Sequence, residues 1–582
     1  KIYLTCRTYV LYIGFMPHLY KKMAQGRTYW YLRETHRVQG KVKVKWQKYL
    51  GTPETIWAKL QEAEQGRKPV KQHTEAFGSV FLAHALEQEL DTISLIDSIV
   101  TKKRNEKGPS VGEYFFYAWA NRMIAPKSKR ALKNWYQKTA IQHLRPVNLK
   151  ELSSERYWEK WHRVSKEHIE EIASKFFARI WEKLALGPET LLFDTTNYFT
   201  YMATKTKSEL AKRGENKSGK HHLRQVGVGV LQDRASSLPL YYTVYSGNMH
   251  DSKLFHTILD EIFGVIAGFT ESDKQLTVVF DKGMNSAENI SFIDAHQQIH
   301  FVTTYSLYNA EYEAKRDPES FDVLNTPKNR ELTAEEREGD CLRAFRTTIA
   351  LWGKERTLVI TFNPVTKRKK LYDLAKKLGR IRTELLEFRR KYNDQKPRWR
   401  SEDAVRSRYR NLCEELHISP KFYDLEFASK KMSFRKNTQE VASAKALMGK
   451  NMIVTDNSHW STEEIVLASL DRYKIENQFK VSKDPFQVRV NPMFHWTDGK
   501  IRCHLLTCMM AMTALRLLEL KLNDKYTSKV IMEEMHDLDC ILTWHKDTMK
   551  PELGLETPSE IQAEILKGMG YVIQDAWVLQ AQ

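Results

Sequence analysis

Cysteine is scarce in this 582-residue chain, and what there is does not cluster. The six residues Cys6, Cys341, Cys413, Cys503, Cys508 and Cys540 include no C-x-x-C pair. That spacing argues against a disulfide scaffold and against a structural zinc site, and it fits a reducing cytosol. Long apolar runs are also missing. A membrane-spanning helix needs roughly 20 predominantly apolar residues. The nearest approach, LLTCMMAMTALRLLEL at 505–520, carries Arg516 and reads as a buried helix. The opening KIYLTCRTYVLYIGFMPHLYKK has a short apolar stretch but no convincing cleavage site, so it is not read as a signal peptide. Lys1 is not a start residue, and Met16 or Met23 is the expected start.

Acidic residues are in deficit. Against 92 Lys and Arg stand 72 Asp and Glu, giving a formal charge of +20 and a pI near 9.3. Such a balance predicts attraction to a polyanion, and the 14 Trp and 26 Tyr supply rings able to stack on bases or pack in a core. Nucleic acid leads as partner; an acidic membrane surface is the rival. The 42% hydrophobic content is ordinary for a folded protein, and the length suggests about three or four domains or lobes.

Along the chain, 27–50 alternates β-formers with basic residues around Gln39-Gly40 and predicts a small basic hairpin. From 76 to 186 the pattern is helical, including 131–144 and 166–186, with Pro126 and Pro146 as breaks. This lobe reads either as a packing scaffold or as a DNA-end-binding domain. The runs 190–199, 224–233, 238–247, 275–281 and 299–305 then read as strands, with a helix capped by Asp251 after the third. The predicted order is β-β-β-α-β-(α)-β. A further strand at 450–457 precedes a helix whose Ser461 and Glu464 have the spacing of a capping box.

Between these parts lies a long interruption, 306–449. FRTTIALW and TLVITF read as strands, and 367–410 holds 17 Lys/Arg against 6 Asp/Glu, over half of the chain's excess charge. Leu371, Leu374, Leu378, Ile381, Leu385 and Phe388 recur at steps of three and four, the stripe of an amphipathic helix. Its charged side reads as a solvated face or, in a protein this basic, as contact with a DNA backbone.

Three carboxylates carry the chemistry. Asp194 and Asp281 stand where the apolar runs LLFD and VVFD end, and a rigid strand end fixes a ligand better than a loop does. Hard cations such as Mg²⁺ take oxygen ligands, and two of them can serve phosphoryl transfer. Glu476 is the single acid in RYKIENQFKVSK, 472–483. On a helix Arg472, Glu476 and Lys483 fall within about 40° of one another. The plain alternative is an i,i+4 ion pair of Arg472 with Glu476 on a solvated helix; strand-end aspartates likewise often only shape turns.

Taken together, DTTNYF, YSGNMHDSKLF, DKGM, the Glu476 stretch and IRCHLLTCMMAM resemble the DDE transposases of the IS4-like superfamily, most closely its IS1634 family. GRTYWYLRETHRVQGKVKVKWQKYLGT and PKSKRALKNW resemble it too, and the likeness runs from about residue 23 to 520. In the family signature Y-x2-R-x3-E-x6-K, Arg472, Glu476 and Lys483 match, while Ser469 replaces the tyrosine and Tyr473 lies on a different face.

The resemblance implies an α/β fold with a ribonuclease H-like catalytic core, a mixed sheet with helices, carrying a long α+β insertion. The regions expected are 1–22, an upstream or disordered segment; 23–75, the basic hairpin; 76–186, a helical DNA-end-binding domain; 187–305, the first part of the core; 306–449, the insertion; 450–525, the second part with the glutamate; and 526–582, a C-terminal helical region. It further implies catalysis and metal binding by Asp194, Asp281 and Glu476, binding of DNA phosphates by Arg472, Lys480 and Lys483, and two Mg²⁺ ions, with Mn²⁺ as substitute. Expected partners are double-stranded DNA, as terminal inverted repeats and target, and a second copy in a synaptic dimer. No membrane is expected, and the place of action is the prokaryotic cytosol at the nucleoid. A hairpin route of end release would need an aromatic residue; Trp352, Trp399 and Trp460 are equal candidates. A silent DNA-binding descendant and a nuclease without strand transfer are the alternatives.

Overall fold

A computed structural model describes residues 17–38, 41–64, 69–103, 106–202, 206–216, 218–267, 275–545, 551–574 and 577–580. The chain packs as two units: Lys1–Asp91 with Arg104–Tyr157 and Leu517–Gln582, and Thr92–Lys103 with Trp158–Arg516.

In the first unit the alternating basic segment 27–50 forms the two antiparallel strands expected of it, and one earlier strand joins them. β1 (His18–Ala24), β2 (Arg27–Val38) and β3 (Lys41–Gly51) make an antiparallel sheet in that order. The expected turn at Gln39-Gly40 lies outside the described residues. After the helix Pro53–Glu64 comes β4 (Pro69–Ala76). The helix Val111–Ile124 carries this unit's core: its first turn is closed by a Ser110–Glu113 capping box, and Phe115, Phe116 and Trp119 are fully buried. The helix expected over 131–144 is two, Lys129–Gln137 and Ile141–Leu144. It breaks because the Ala140 N–H leaves the helical ladder to bond the carbonyl of Ala76, a tertiary contact that periodicity does not carry.

The second unit is a mixed α/β structure around one nine-stranded sheet. Its strands are β5 (Thr190–Thr200), β6 (Arg224–Asp233), β7 (Pro239–Ser246), β8 (Leu276–Phe280), β9 (Ile299–Tyr305), β10 (Asp322–Val323), β11 (Arg343–Leu351), β12 (Lys354–Phe362) and, after a two-stranded ribbon of β13 (Tyr423–Ala428) and β14 (Lys431–Lys436), β15 (Lys450–Thr455). The spatial order is β10-β11-β12-β15-β9-β8-β5-β6-β7. β5, β8 and β9 run parallel and lie centrally, so β8 reads as an unbroken buried run, LTVVF, instead of an alternation. β6 and β7 return antiparallel. Gly227 on β6 leaves space for the Tyr245 ring of β7, into which an added Cβ would run. The element order predicted for 190–305 is the order found, with helices Asp251–Ala267 and Ala287–Asp294 between strands.

The interruption contributes β10, β11 and β12 to this sheet, and β15, the strand that follows it, enters between β12 and β9. Between β12 and β15 stands a small body of its own: helices Pro364–Asn393, Glu402–Glu415 and Thr438–Leu447 with the β13–β14 ribbon. The predicted apolar stripe is its core, where Leu374, Leu378, Ile381, Leu385 and Phe388 pack with Val405, Tyr409 and Leu425. The helix Asp498–Lys521 is long and apolar enough to span a bilayer, but 83% of its apolar window is buried inside the protein. Back in the first unit, β16 (Asp539–His545) lies between β17 (Glu552–Leu555) and β4.

Candidate active site

The site begins with the register of two parallel strands. Leu192 on β5 is level with Val279 on β8. The ladder stops at that pair; two residues further along each chain stand Asp194, inside β5, and Asp281, the first residue after β8. Neighbouring strands lie about 4.8 Å apart. Asp281 thus leaves the carboxyl end of β8, the edge where open α/β sheets place their ligands, whereas Asp194 lies mid-strand, because β5 runs on six residues to Thr200 and stays paired with β6; the expected strand end holds for Asp281 and not for Asp194.

Asp281 turns the chain there. Its side chain caps the short turn Lys282–Met284, with Oδ1 accepting from the Lys282 N–H at 2.8 Å. The same oxygen accepts from Thr304 Oγ1 of β9 at 3.2 Å and from an Arg472 nitrogen at 3.1 Å. Asp194 accepts from the Thr195 N–H at 2.8 Å. Burial pushes the Asp194 carboxyl up to about 6, with Asp281 and Glu476 adding to the rise; the Thr195 N–H and the Arg472 guanidinium hold it down. All four charged groups therefore share one neighbourhood.

Glu476 arrives on the helix Tyr473–Lys483, which rests on β5 through buried Ile475, Phe479 and Ser482. The Tyr198 hydroxyl and Ser482 Oγ are 2.7 Å apart, and Lys483 Nζ donates to Thr196 Oγ1 at 2.6 Å while lying over the Tyr198 ring. Sequence periodicity treats 461–483 as one helix. The structure has two, Thr462–Leu470 and Tyr473–Lys483, with Arg472 at the junction. The break is held from outside: Arg234 Nε donates to Asp471 at 2.7 Å, and Lys474 Nζ donates to the Arg234 carbonyl at 2.9 Å.

The i,i+4 pair of Arg472 with Glu476 is not the one formed; the guanidinium bonds Asp281 instead. Lys480 is exposed and bonds Asn477 on its own helix. Ser469 is buried in the preceding helix and Tyr473 is 53% exposed. Of the three tryptophans, Trp352 packs on Tyr305, Trp399 on Phe388, and Trp460 offers its carbonyl to Arg346. None of these contacts involves the carboxylates. Thr304 was missed by sequence reading, and Asn285, whose amide bonds the Thr303 hydroxyl and the Thr304 carbonyl, was missed as well. Neither carries a signal beyond its place beside a strand end.

The donor set, three carboxylates of which Asp194 and Asp281 are half-buried and Glu476 is exposed, suits a hard divalent cation in chemical type. Among the described residues, however, no three His, Cys, Asp or Glu side chains converge closely enough to hold an ion. Arg472 supplies the positive charge on Asp281.

Residues 200–513 match the family model of the transposase DDE domain, more than half of the chain. The chain belongs to the DDE transposases. Asp281 and Glu476 fall within the matched span, and Asp194 lies just before it. A search of curated proteins found no match. Among solved structures the chain is similar to the piggyBac transposase in a synaptic complex with hairpin DNA, with 8% identity, a TM-score of 0.36, and 80% of this chain and 82% of that chain covered.

Proposed function

We propose that this DNA transposase is of the IS4-like, IS1634-related kind, that it binds the terminal inverted repeats of an insertion sequence, cleaves the ends and joins the freed 3′-hydroxyls to target DNA. The observation that carries the reading is that Asp194 on β5 and Asp281 just after the parallel strand β8 each stand two residues beyond one paired position, Leu192 with Val279, with Glu476 in their field. The order β7-β6-β5-β8-β9 with β5, β8 and β9 parallel is that of a ribonuclease H-like core and supports it. Asp194, Asp281 and Glu476 would have to draw closer together than they stand here to hold two Mg²⁺ ions, which when bound would activate the attacking oxygen and stabilise the leaving one. Around them the chain's own residues orient and bind. Thr304 and the Lys282 N–H fix the Asp281 carboxylate, Arg472 neutralises it before the cation arrives, and Lys483 at the end of the helix grips a flanking phosphate. Residues 76–186 form the end-binding region, two copies act in a synaptic dimer, and the reaction takes place in the prokaryotic cytosol.

A second reading, a silent DNA-binding descendant, draws on the occupied Asp281 Oδ1, which already takes three donors. Incubation with inverted-repeat DNA and target plasmid separates the readings: nicked ends and joined product that require Mg²⁺ or Mn²⁺ are expected. Repeat binding without nicking in either cation favours the silent descendant, and nicking without joined product a plain nuclease.

A further inference from the structure

We infer that the N-terminal three-stranded sheet is a stacking platform for single-stranded nucleic acid, a role that does not rest on the carboxylate site. The strand register lines up Tyr20, Tyr31 and Tyr49 across β1, β2 and β3. Their ring centroids are 6.5 Å and 5.3 Å apart, and Tyr29 adds a fourth ring 6.1 Å from Tyr49. A row of rings across the middle of a sheet ordinarily lies under a second layer, because large aromatic faces dominate burial energetics. Here β1 is exposed along its whole length and β3 along nearly all of it. Tyr49 is 54% and Tyr20 36% exposed.

Charge selects the occupant. Between His18 and Gly51 stand nine Lys and Arg and one acid, Glu34, which is bonded to Lys45 and Trp46. On the tyrosine face itself Arg33 lies 3.5 Å over the Tyr20 ring and donates to Gln47 at 3.0 Å, while Lys22 is level with Tyr29. Rings flanked by cations match a strand of unpaired nucleotides, whose bases stack on the rings while phosphates follow the cations, without sequence preference. Duplex DNA offers this face only its phosphates, since its bases already stack on one another. The rings ride on strands rather than on a loop, so little ordering cost remains at binding.

The test uses the full chain, a labelled oligo-dT and a duplex of equal length, without divalent cation and at one salt concentration. Tyr20→Ala with Tyr49→Ala should weaken oligo-dT binding at least about tenfold, the scale of one lost base stack, while Tyr20→Phe with Tyr49→Phe stays within about twofold of wild type. Duplex binding should barely change in either. A 5-bromouracil oligonucleotide cross-linked to the wild-type chain should map to 18–51, which decides the matter if the alanine pair fails to fold. Cross-links confined elsewhere, unchanged affinity in the alanine pair, equal losses for duplex and single strand, or no binding of oligo-dT would overturn the inference.

Discussion

Arg472 and Asp281, 191 residues apart in the chain, meet at 3.1 Å, and the meeting replaces the local ion pair that helical spacing suggests. The Arg472 side chain is largely buried there, 14% exposed. An arginine in such a place does for a group of carboxylates what a bound cation would do: it offsets their repulsion.

The first prediction follows from that substitution of charges. Arg472→Ala should lower stability in metal-free buffer by about 1–2 kcal/mol, since a part-buried charged hydrogen bond is lost and the carboxylates face each other. Mg²⁺ should restore part of the loss, and cleaved-end joining should fall on the order of 10²-fold, as when one preorganised donor is removed. A surface helix pair would cost at most about 0.5 kcal/mol. Thermal melting with and without Mg²⁺, beside a strand-transfer assay, checks it; unchanged melting and joining would return Arg472 to a surface role.

Asp194→Asn, Asp281→Asn and Glu476→Gln should each abolish cation-dependent cleavage and leave binding of the DNA ends nearly intact. Most binding energy comes from backbone neutralisation by cations elsewhere on the chain. Gel-shift and nicking assays on the same preparations test this, and a variant that still cuts removes its residue from the site.

Asp194 also predicts a pH dependence. Its carboxyl in the fold sits at about 6, above the ordinary 3.8, chiefly through burial. The fold therefore prefers the neutral form, so the stability this group contributes is present below about pH 4 and lost as pH rises through 6. Asp194→Asn should then be more stable than wild type near pH 7, by up to about 3 kcal/mol, with the gap closing toward pH 4. Urea unfolding of both proteins across that range, without divalent cation, measures it. A gap that does not change with pH would show that the shift is not the cause.

β4 depends on the far end of the chain. Its partner strand is β16, with Thr74 level with Ile541 and Gln72 with Thr543. A chain ending before Asp539, or a fragment ending near residue 186, leaves β4 with an unpaired edge that invites aggregation. Hydrogen exchange should find β4 amides protected in the full chain and open in the truncated one; equal protection would disprove the dependence. End binding is accordingly best assayed with residues 517–582 present.

The sequence was legible wherever a local pattern and a tertiary need coincide. β5 and β8 announce themselves as apolar runs ending in aspartate because central parallel strands are buried on both faces. The stripe from Leu374 to Phe388 was readable because it closes a core within its own neighbourhood. What escaped depends on distant partners. Nothing in 461–483 signals a break, which Arg234 imposes through Asp471. Likewise β15 reads as a strand, but its insertion between β12 and β9 is a matter of long-range pairing. The i,i+4 spacing of Arg472 and Glu476 was real but was outbid by Asp281.

The body between β12 and β15 departs and returns through one doorway. Phe362 is level with Lys450, and the Asn363 N–H bonds the Gly449 carbonyl at 2.8 Å. Because it brings its own core, the sheet beneath is indifferent to its size: joined by a short turn, β12 and β15 would be an ordinary hairpin. It should therefore behave as a detachable cassette, since the cost of loop closure grows only slowly with length. A chain lacking 364–449 should keep the cooperative melting of the remaining sheet while losing over half of the positive excess that this stretch carries.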